Sequence, residues 1–204
     1  MRLSSAINKP GRIALVFAFA ATGLFHALAL ANGLKGLRVE PPKPISPKPL
    51  VDHNGQAKSF PGTGKNWKLV FFGYTRCPDV CPTTMFTVRQ AMNQLGDERD
   101  RLDIAFISID SQRDRPGDLK RFVSYYGDGV TGYSGELKNI KAIETQFGVT
   151  TRKFQGKTAL AYTLQHSVFL YLLDPDNNLR AMFSGATLPS TLSREMRQYL
   201  TGPG

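Results

Sequence analysis

The sequence predicts an α/β fold, with a central sheet and helices on both faces. Three observations predict it. Continuous apolar runs of strand length occur at 69–74, 104–109 and 167–173, as expected of strands buried on both sides. Segments with helical spacing of apolar residues separate them. The chain then closes with a turn-linked strand pair and a last helix, and alternation of this kind builds a layered α/β domain.

Taken in order, residues 1–12 form a basic lead containing Arg2, Lys9 and Arg12 and no acidic residue. Residues 13–31 (IALVFAFAATGLFHALALA) carry no formal charge. This stretch just reaches the ~20 residues that a helix needs to cross a bilayer. It also ends in Ala29-Leu30-Ala31, small residues of the kind that signal peptidase accepts. A retained transmembrane anchor is the expectation and a cleaved signal the alternative; either exports the rest of the chain, with the basic lead kept inside. His26 is read as an interfacial residue. Residues 32–49 hold Pro41, Pro42, Pro44, Pro47 and Pro49, too many for a helix or a central strand. They read as an extended spacer, with the folded domain, 50–204, beginning near Leu50.

Within that domain, Leu50–Phe60 reads as two short strands around a turn at Asp52-His53-Asn54-Gly55. His53 is taken as a turn residue. Gly62-Thr63-Gly64-Lys65 lacks the spacing of a phosphate loop and is a turn. The run 69–74 is a central strand. A helical pattern follows to about Leu95, with Met85, Val88, Met92 and Leu95 on its apolar face; the two methionines are core residues. The second strand is 104–109. Pro116 opens a helix to Tyr126, since proline suits a first helical turn. Glu136–Phe147 is another helix, stopped by Gly148. A loop to Gln165 leads into the strand 167–173, and Asp174-Pro175-Asp176-Asn177-Asn178 turns the chain into a partner strand, 179–183. A helix over 188–200 ends the fold.

The formal net charge is +10. Outside the lead, 23 basic residues still outnumber 16 acidic ones, so the basic character belongs to the whole exported part. It suits acidic partners or anionic membrane surfaces. No dense Lys/Arg tract interleaved with aromatics is present, so nucleic acid is not the expected partner.

The chemistry concentrates at Gly73–Thr83 (GYTRCPDVCPT), which holds both cysteines of the chain, Cys77 and Cys81. A disulfide scaffold needs more cysteines at scattered spacings; two close ones point to metal or redox chemistry. With Pro82 at the first helical position, Cys81 caps the helix and Cys77 lies on the loop before it. Free N–H groups and partial positive charge at a helix start favour thiolate over thiol, and Arg76 adds to that field. The offset brings the two Cα atoms to roughly 6 Å, inside the disulfide range. The pair can therefore bridge or clamp a soft ion. Two thiolates suit Cu(I), and an imidazole extends the set to Cu(II) or zinc. His166, just before the third apolar strand, is the candidate third ligand. The site falls at the carboxyl end of a central strand, where open α/β sheets place their sites.

The stretch 71–84, FFGYTRCPDVCPTT, closely resembles the signature of the Sco family of copper proteins. Ser108-Ile109-Asp110 with Arg113-Asp114 resembles that family's S-x-D-P-x-R-D segment, and Tyr162-Thr163-Leu164-Gln165-His166 its Y-x-x-D-H motif. The resemblance covers about residues 50–200. It implies a thioredoxin-like fold and copper, Cu(I), Cu(II) or both, bound by Cys77, Cys81 and His166. It implies a supporting role for Asp79, whose alternative is a plain carboxylate at the helix start. It implies delivery of copper to the binuclear site of cytochrome c oxidase subunit II, or reduction of that site, or service to another copper-accepting protein. The compartment implied is the periplasm, with the anchor in the inner membrane, or the mitochondrial intermembrane space. Asp110, Arg113 and Asp114 are assigned to loop ordering.

Two positions depart from the family pattern. Ser111 stands where proline is usual, and Gln165 stands where an acidic residue precedes the histidine. The second puts Cu(II) affinity in question, because a carboxylate there would orient the imidazole. The competing function is a thiol–disulfide oxidoreductase without obligatory metal, in which Cys77 attacks and Cys81 resolves. A peroxidase is disfavoured, since Thr75 is one residue too close to Cys77 for a T-x-x-C arrangement, and a hydrolytic zinc site lacks a base beyond Asp79.

Overall fold

The computed structural model describes residues 36–158 and 161–202. The basic lead and the apolar stretch 13–31 lie outside them. Among the described residues no helix is long and apolar enough to cross a membrane.

Among the described residues, ten strands and four α-helices follow one another. The strands are β1 (Leu37–Pro44), β2 (Lys48–Asp52), β3 (Ala57–Phe60), β4 (Trp67–Gly73), β5 (Leu102–Ser108), β6 (Val130–Ser134), β7 (Thr151–Gln155), β8 (Tyr162–His166), β9 (Phe169–Leu173) and β10 (Asn178–Ser184). The helices are α1 (Val80–Asn93), α2 (Pro116–Val123), α3 (Leu137–Phe147) and α4 (Pro189–Thr201). Eight strands form one sheet in the order β1-β10-β9-β4-β5-β6-β2-β3, and β7 and β8 form a separate two-stranded ribbon. The pairs β4–β5 and β5–β6 are parallel and β9 runs antiparallel to β4, the thioredoxin-like arrangement expected.

Every residue of β4 is buried, because both faces of the sheet are covered. Successive side chains of a strand point to opposite faces. Phe72 meets Phe147 of α3 at 5.2 Å between ring centres. Phe71 meets Phe106, which meets Phe122 of α2. A Cβ on Gly73, on the Phe71 face, would touch Cys81 of α1. Helices α1 and α2 therefore cover the face opposite α3, and α4 packs on α1 through the Ser193–Gln94 hydrogen bond.

The sheet begins before Leu50, which corrects the boundary read from the prolines. Strand β1 pairs with β10 through Leu37–Met182, Arg38–Ala181, Lys43–Leu179 and Pro44–Asn178, with a break in register between Arg38 and Lys43. Prolines are compatible with this because β1 is an edge strand, and the Glu40-Pro41-Pro42 run sits in the irregular stretch. The strand pair around Asp52–Gly55 forms as β2 and β3. His53 is structural: its Nδ1 accepts the N–H of Gly132 at 3.0 Å.

Helix α1 starts at Val80 with Asp79 as its N-cap, two residues earlier than the proline suggests. Pro82 then lies in the first turn, where its missing N–H has no intrahelical partner to lose. The segment before His166, read as a loop, is the β7–β8 ribbon. Gly148 ends α3 with φ 68°, the left-handed conformation that glycine adopts without penalty.

Candidate functional site

Three elements meet at the carboxyl end of β4. The chain leaves β4 at Gly73 and turns through Tyr74–Pro78 into α1, which places Cys77 on the loop and Cys81 in the first turn of the helix. Cys81 is fully buried and Cys77 half-buried, and both are free thiols. Gly73 lets them fit: an added Cβ would lie 2.9 Å from Cys81 Sγ and 2.9 Å from the Phe106 ring. The loop is pinned from below by Asp114, whose carboxylate accepts the Thr75 N–H at 2.8 Å, the Thr75 hydroxyl at 2.7 Å and the Ser108 hydroxyl at 2.7 Å. Burial raises the Asp114 pKa, and the Thr75 and Ser108 hydrogen bonds oppose that rise.

His166 is the last residue of β8. Its ring lies edge-on to Phe71 and Tyr74, with centres 6.1 and 6.3 Å apart. Its Nε2 stands 3.5 Å from Cys81 Sγ. Its Nδ1 is 2.9 Å from the Ser167 carbonyl oxygen. A carbonyl only accepts, so Nδ1 carries a proton there, and Nε2 is the ring nitrogen that faces the sulfur. The structure thus brings Cys77, Cys81 and His166 together from two elements far apart in sequence. The imidazole is oriented by the Ser167 carbonyl, while Gln165 is exposed and points away, so an acidic residue at 165 is not what fixes the ring.

The two thiols divide their roles. Cys77 Sγ accepts the backbone N–H of Cys81 at 3.4 Å. Its pKa is lowered to about 3, first by the hydrogen bond from the Cys81 thiol, against the opposing effect of burial, and further by His166 and the N–H groups of Cys81 and Asp79. The Cys81 pKa is pushed up, first by the same hydrogen bond, then by burial and the charge on Cys77. The resting pair is therefore one thiolate held by one thiol. The free N–H groups at the start of α1 supply part of this stabilisation.

Asp79 is the N-cap of α1 and exposed, and its Oδ1 accepts the Thr83 hydroxyl at 3.4 Å. Asp110, Arg113 and Asp114 order the loops, as expected. Three contributors went unnoticed in the sequence: Thr75 and Ser108 as donors to Asp114, and the Ser167 carbonyl. The residue types of Thr75 and Ser167 carry no signal of these roles, and the motif that holds Ser108 does not show which group its hydroxyl meets.

Among the described residues no three His, Cys, Asp or Glu side chains stand as a ready-made metal cage. The donor chemistry nevertheless fits a soft ion. Ligand bonds of ~2.3 Å to sulfur and ~2.0 Å to nitrogen, at angles between tetrahedral and trigonal, set the two atoms roughly 3.5–3.7 Å apart. The Sγ–Nε2 separation of 3.5 Å has that size.

Comparison with known proteins gives the family of the chain. A family model described as SCO1/SenC matches residues 42–201. A Stutzerimonas stutzeri protein named for copper binding is 34% identical over 155 residues, which cover 74% of each chain. The structure of Bradyrhizobium japonicum ScoI with copper bound superimposes with a TM-score of 0.69 at 32% identity, covering 76% of this chain and 98% of that one. Apo Sco1 from Thermus thermophilus gives a TM-score of 0.71 at 26% identity, covering 82% and 96%. With a family model matched along most of its length and a relative more than 30% identical, the chain belongs to the SCO1/SenC family.

Proposed function

We propose that this chain is a copper-binding metallochaperone whose ligands are Cys77, Cys81 and His166. It delivers copper to the binuclear site of cytochrome c oxidase subunit II, or keeps the thiols of that site reduced. The observation that carries the reading is the His166 imidazole, whose Nε2 faces Cys81 Sγ 3.5 Å away beside the Cys77 thiolate. Two thiolates hold Cu(I), and the imidazole adds the borderline donor that Cu(II) accepts. Cys77 is half-exposed, so an incoming thiolate can reach the ion there and take it by ligand exchange. Asp79 supports the site as a negative group at the rim. The apolar segment 13–31 tethers the domain to the inner membrane, facing the periplasm or, in an organelle, the intermembrane space.

Anaerobic titration with Cu(I) and Cu(II) tests this. The wild type is expected to bind about one ion, Cys77→Ala and Cys81→Ala to lose both oxidation states, and His166→Ala to lose Cu(II) binding selectively. A wild-type protein that stays metal-free sinks the proposal.

A second reading is favoured by the low pKa and half-exposure of Cys77. Its thiolate attacks a target disulfide, forming a mixed disulfide and releasing one target thiolate. Cys81, once deprotonated, displaces the second, so that the Cys pair is oxidised and the target reduced. His166→Ala separates the two readings, because it removes the imidazole ligand but spares mixed-disulfide formation by Cys77.

A further inference from the structure

His166 lies on the β7–β8 ribbon, which is not hydrogen-bonded into the eight-stranded sheet. The ribbon is rooted at its base, where the Ser167 N–H donates to the Thr150 carbonyl at 3.1 Å and the Thr150 N–H to the Ser167 hydroxyl at 3.0 Å. Alternation puts Tyr162, Leu164 and His166 on one face and Thr163 and Gln165 on the other. The first set faces the body of the protein, where the Leu164 N–H donates to the Tyr74 hydroxyl at 3.4 Å. Thr163 and Gln165 are exposed.

The far end of the ribbon is fastened through Tyr162, which is 8% exposed. Its hydroxyl donates to Asp110 Oδ1 at 2.5 Å. Its carbonyl accepts Arg113 Nη1 at 2.8 Å. Its ring lies 3.5 Å from the Arg113 guanidinium carbon and 3.8 Å from Lys153 Nζ. Arg113 Nε also binds Asp110 Oδ2 at 2.5 Å. The chain of contacts continues inward: the Asp110 N–H donates to Ser108 Oγ at 3.0 Å, and that hydroxyl donates to Asp114, which holds Thr75 of the cysteine loop. A buried hydrogen-bonded path therefore joins the histidine ribbon to the cysteine loop by a route that does not pass through the three site residues.

We propose that Tyr162 is a positioning residue for His166: latched to the Asp110–Arg113 pair, it presses the histidine face of the ribbon onto the cysteine loop. The reasoning is mechanical. A two-stranded ribbon without sheet neighbours has little stability of its own, so its tilt over the body is set by its fastenings. Releasing the Tyr162 end lets the Tyr162–Leu164–His166 face lift as a unit, and Nε2 leaves Cys81. This deepens the proposed metal site and rests on His166 having that role.

The test uses the reduced, metal-free, full-length chain, so that it reads the latch independently of copper. The rate at which diethylpyrocarbonate modifies each histidine is followed by mass spectrometry in the wild type, Tyr162→Phe and Asp110→Asn. Tyr171→Phe, which alters a buried hydroxyl on β9, serves as control. Loss of one such hydrogen bond is expected to raise the modification rate of His166 about tenfold in the first two variants. His53 and the control are expected not to change. If His166 stays as protected as in the wild type, or if His53 accelerates equally, the positioning role is wrong. A wild type that binds no copper would sink the metal assignment and leave this result standing.

Discussion

The Nε2 of His166 and the Sγ of Cys81 lie 3.5 Å apart although 85 positions separate them in the chain. The contact joins an isolated ribbon to the first turn of a helix, and the Nδ1–H bond to the Ser167 carbonyl turns Nε2 toward the sulfur. Cys81 is then the protonated member of the pair and Cys77 the charged one.

One consequence is the proton count of metal uptake. Metal binding releases the protons of its ligands. Because Cys77 is held as a thiolate and Cys81 as a thiol, uptake of Cu(I) by the two sulfurs at pH 7 should release about one proton per ion, from Cys81. Calorimetric titration in buffers of different ionisation enthalpy measures this number. Release of two would mean that the Cys77 thiolate is not preformed.

The pH dependence of Cys77 follows from the same pair. An ordinary thiol loses alkylation rate about tenfold per pH unit below ~8.5. With its pKa lowered to about 3, Cys77 should react with iodoacetamide at a nearly constant rate from pH 8 down to pH 5. Cys81 should remain inert throughout. The folded value lies below the unfolded one, so this thiolate adds stability that is complete above the unfolded pKa of about 9 and is lost as the pH falls toward 3. Peptide mapping of the alkylated protein at each pH checks both cysteines.

Gly73→Ala should damage the site. The added Cβ would sit 2.9 Å from Cys81 Sγ and from Phe106, and such overpacking costs ~1–3 kcal/mol. The expected fall in Tm is roughly 2–4 °C per kcal/mol for a chain of this size. Copper affinity should fall as well, since Cys81 must shift to make room. An unchanged affinity would show that Cys81 has more freedom than its burial indicates.

Asp114→Ala leaves the buried Ser108 hydroxyl and the Thr75 N–H without their acceptor. Such orphaned groups cost about 1–3 kcal/mol, and thermal denaturation should show it. Alkylation of Cys77 should lose its flat pH profile, because the loop that holds the thiolate is released.

Gln165→Asp should restore an acidic neighbour without effect on Cu(II) affinity beyond about threefold. Position 165 is exposed and pairs across the ribbon with Arg152, where a surface ion pair is worth ~0–1 kcal/mol. A tenfold gain in affinity would show that the Ser167 carbonyl does not suffice to orient the ring.

Much of this was legible in the sequence. The apolar runs located β4, β5 and β9 because strands buried on both faces need no alternation to be recognised. The C-x-x-x-C spacing at the end of β4 and the histidine before β9 pointed to the candidate site through a family motif. The ribbon was missed because Thr151–Gln155 and Tyr162–His166 are polar and largely exposed, so no apolar periodicity marks them. Pro82 drew the expected helix start past Asp79, because proline is tolerated anywhere in a first turn. The prolines of β1 hid a strand, since sequence alone does not distinguish an edge from an interior position. The latch of Tyr162 on Asp110 and Arg113 depends on tertiary packing across about fifty residues, and local pattern carries no trace of it.

Those same prolines have a bearing on solubility. Strand β1 lies at one end of the sheet, and a bare outer strand is a template on which another chain can add. Pro41, Pro42 and Pro44 remove N–H donors from that border, and the break in register beside them spoils its regularity. The outermost strand thereby closes the sheet to growth, and a molecule carrying ordinary residues at these three positions would be expected to polymerise.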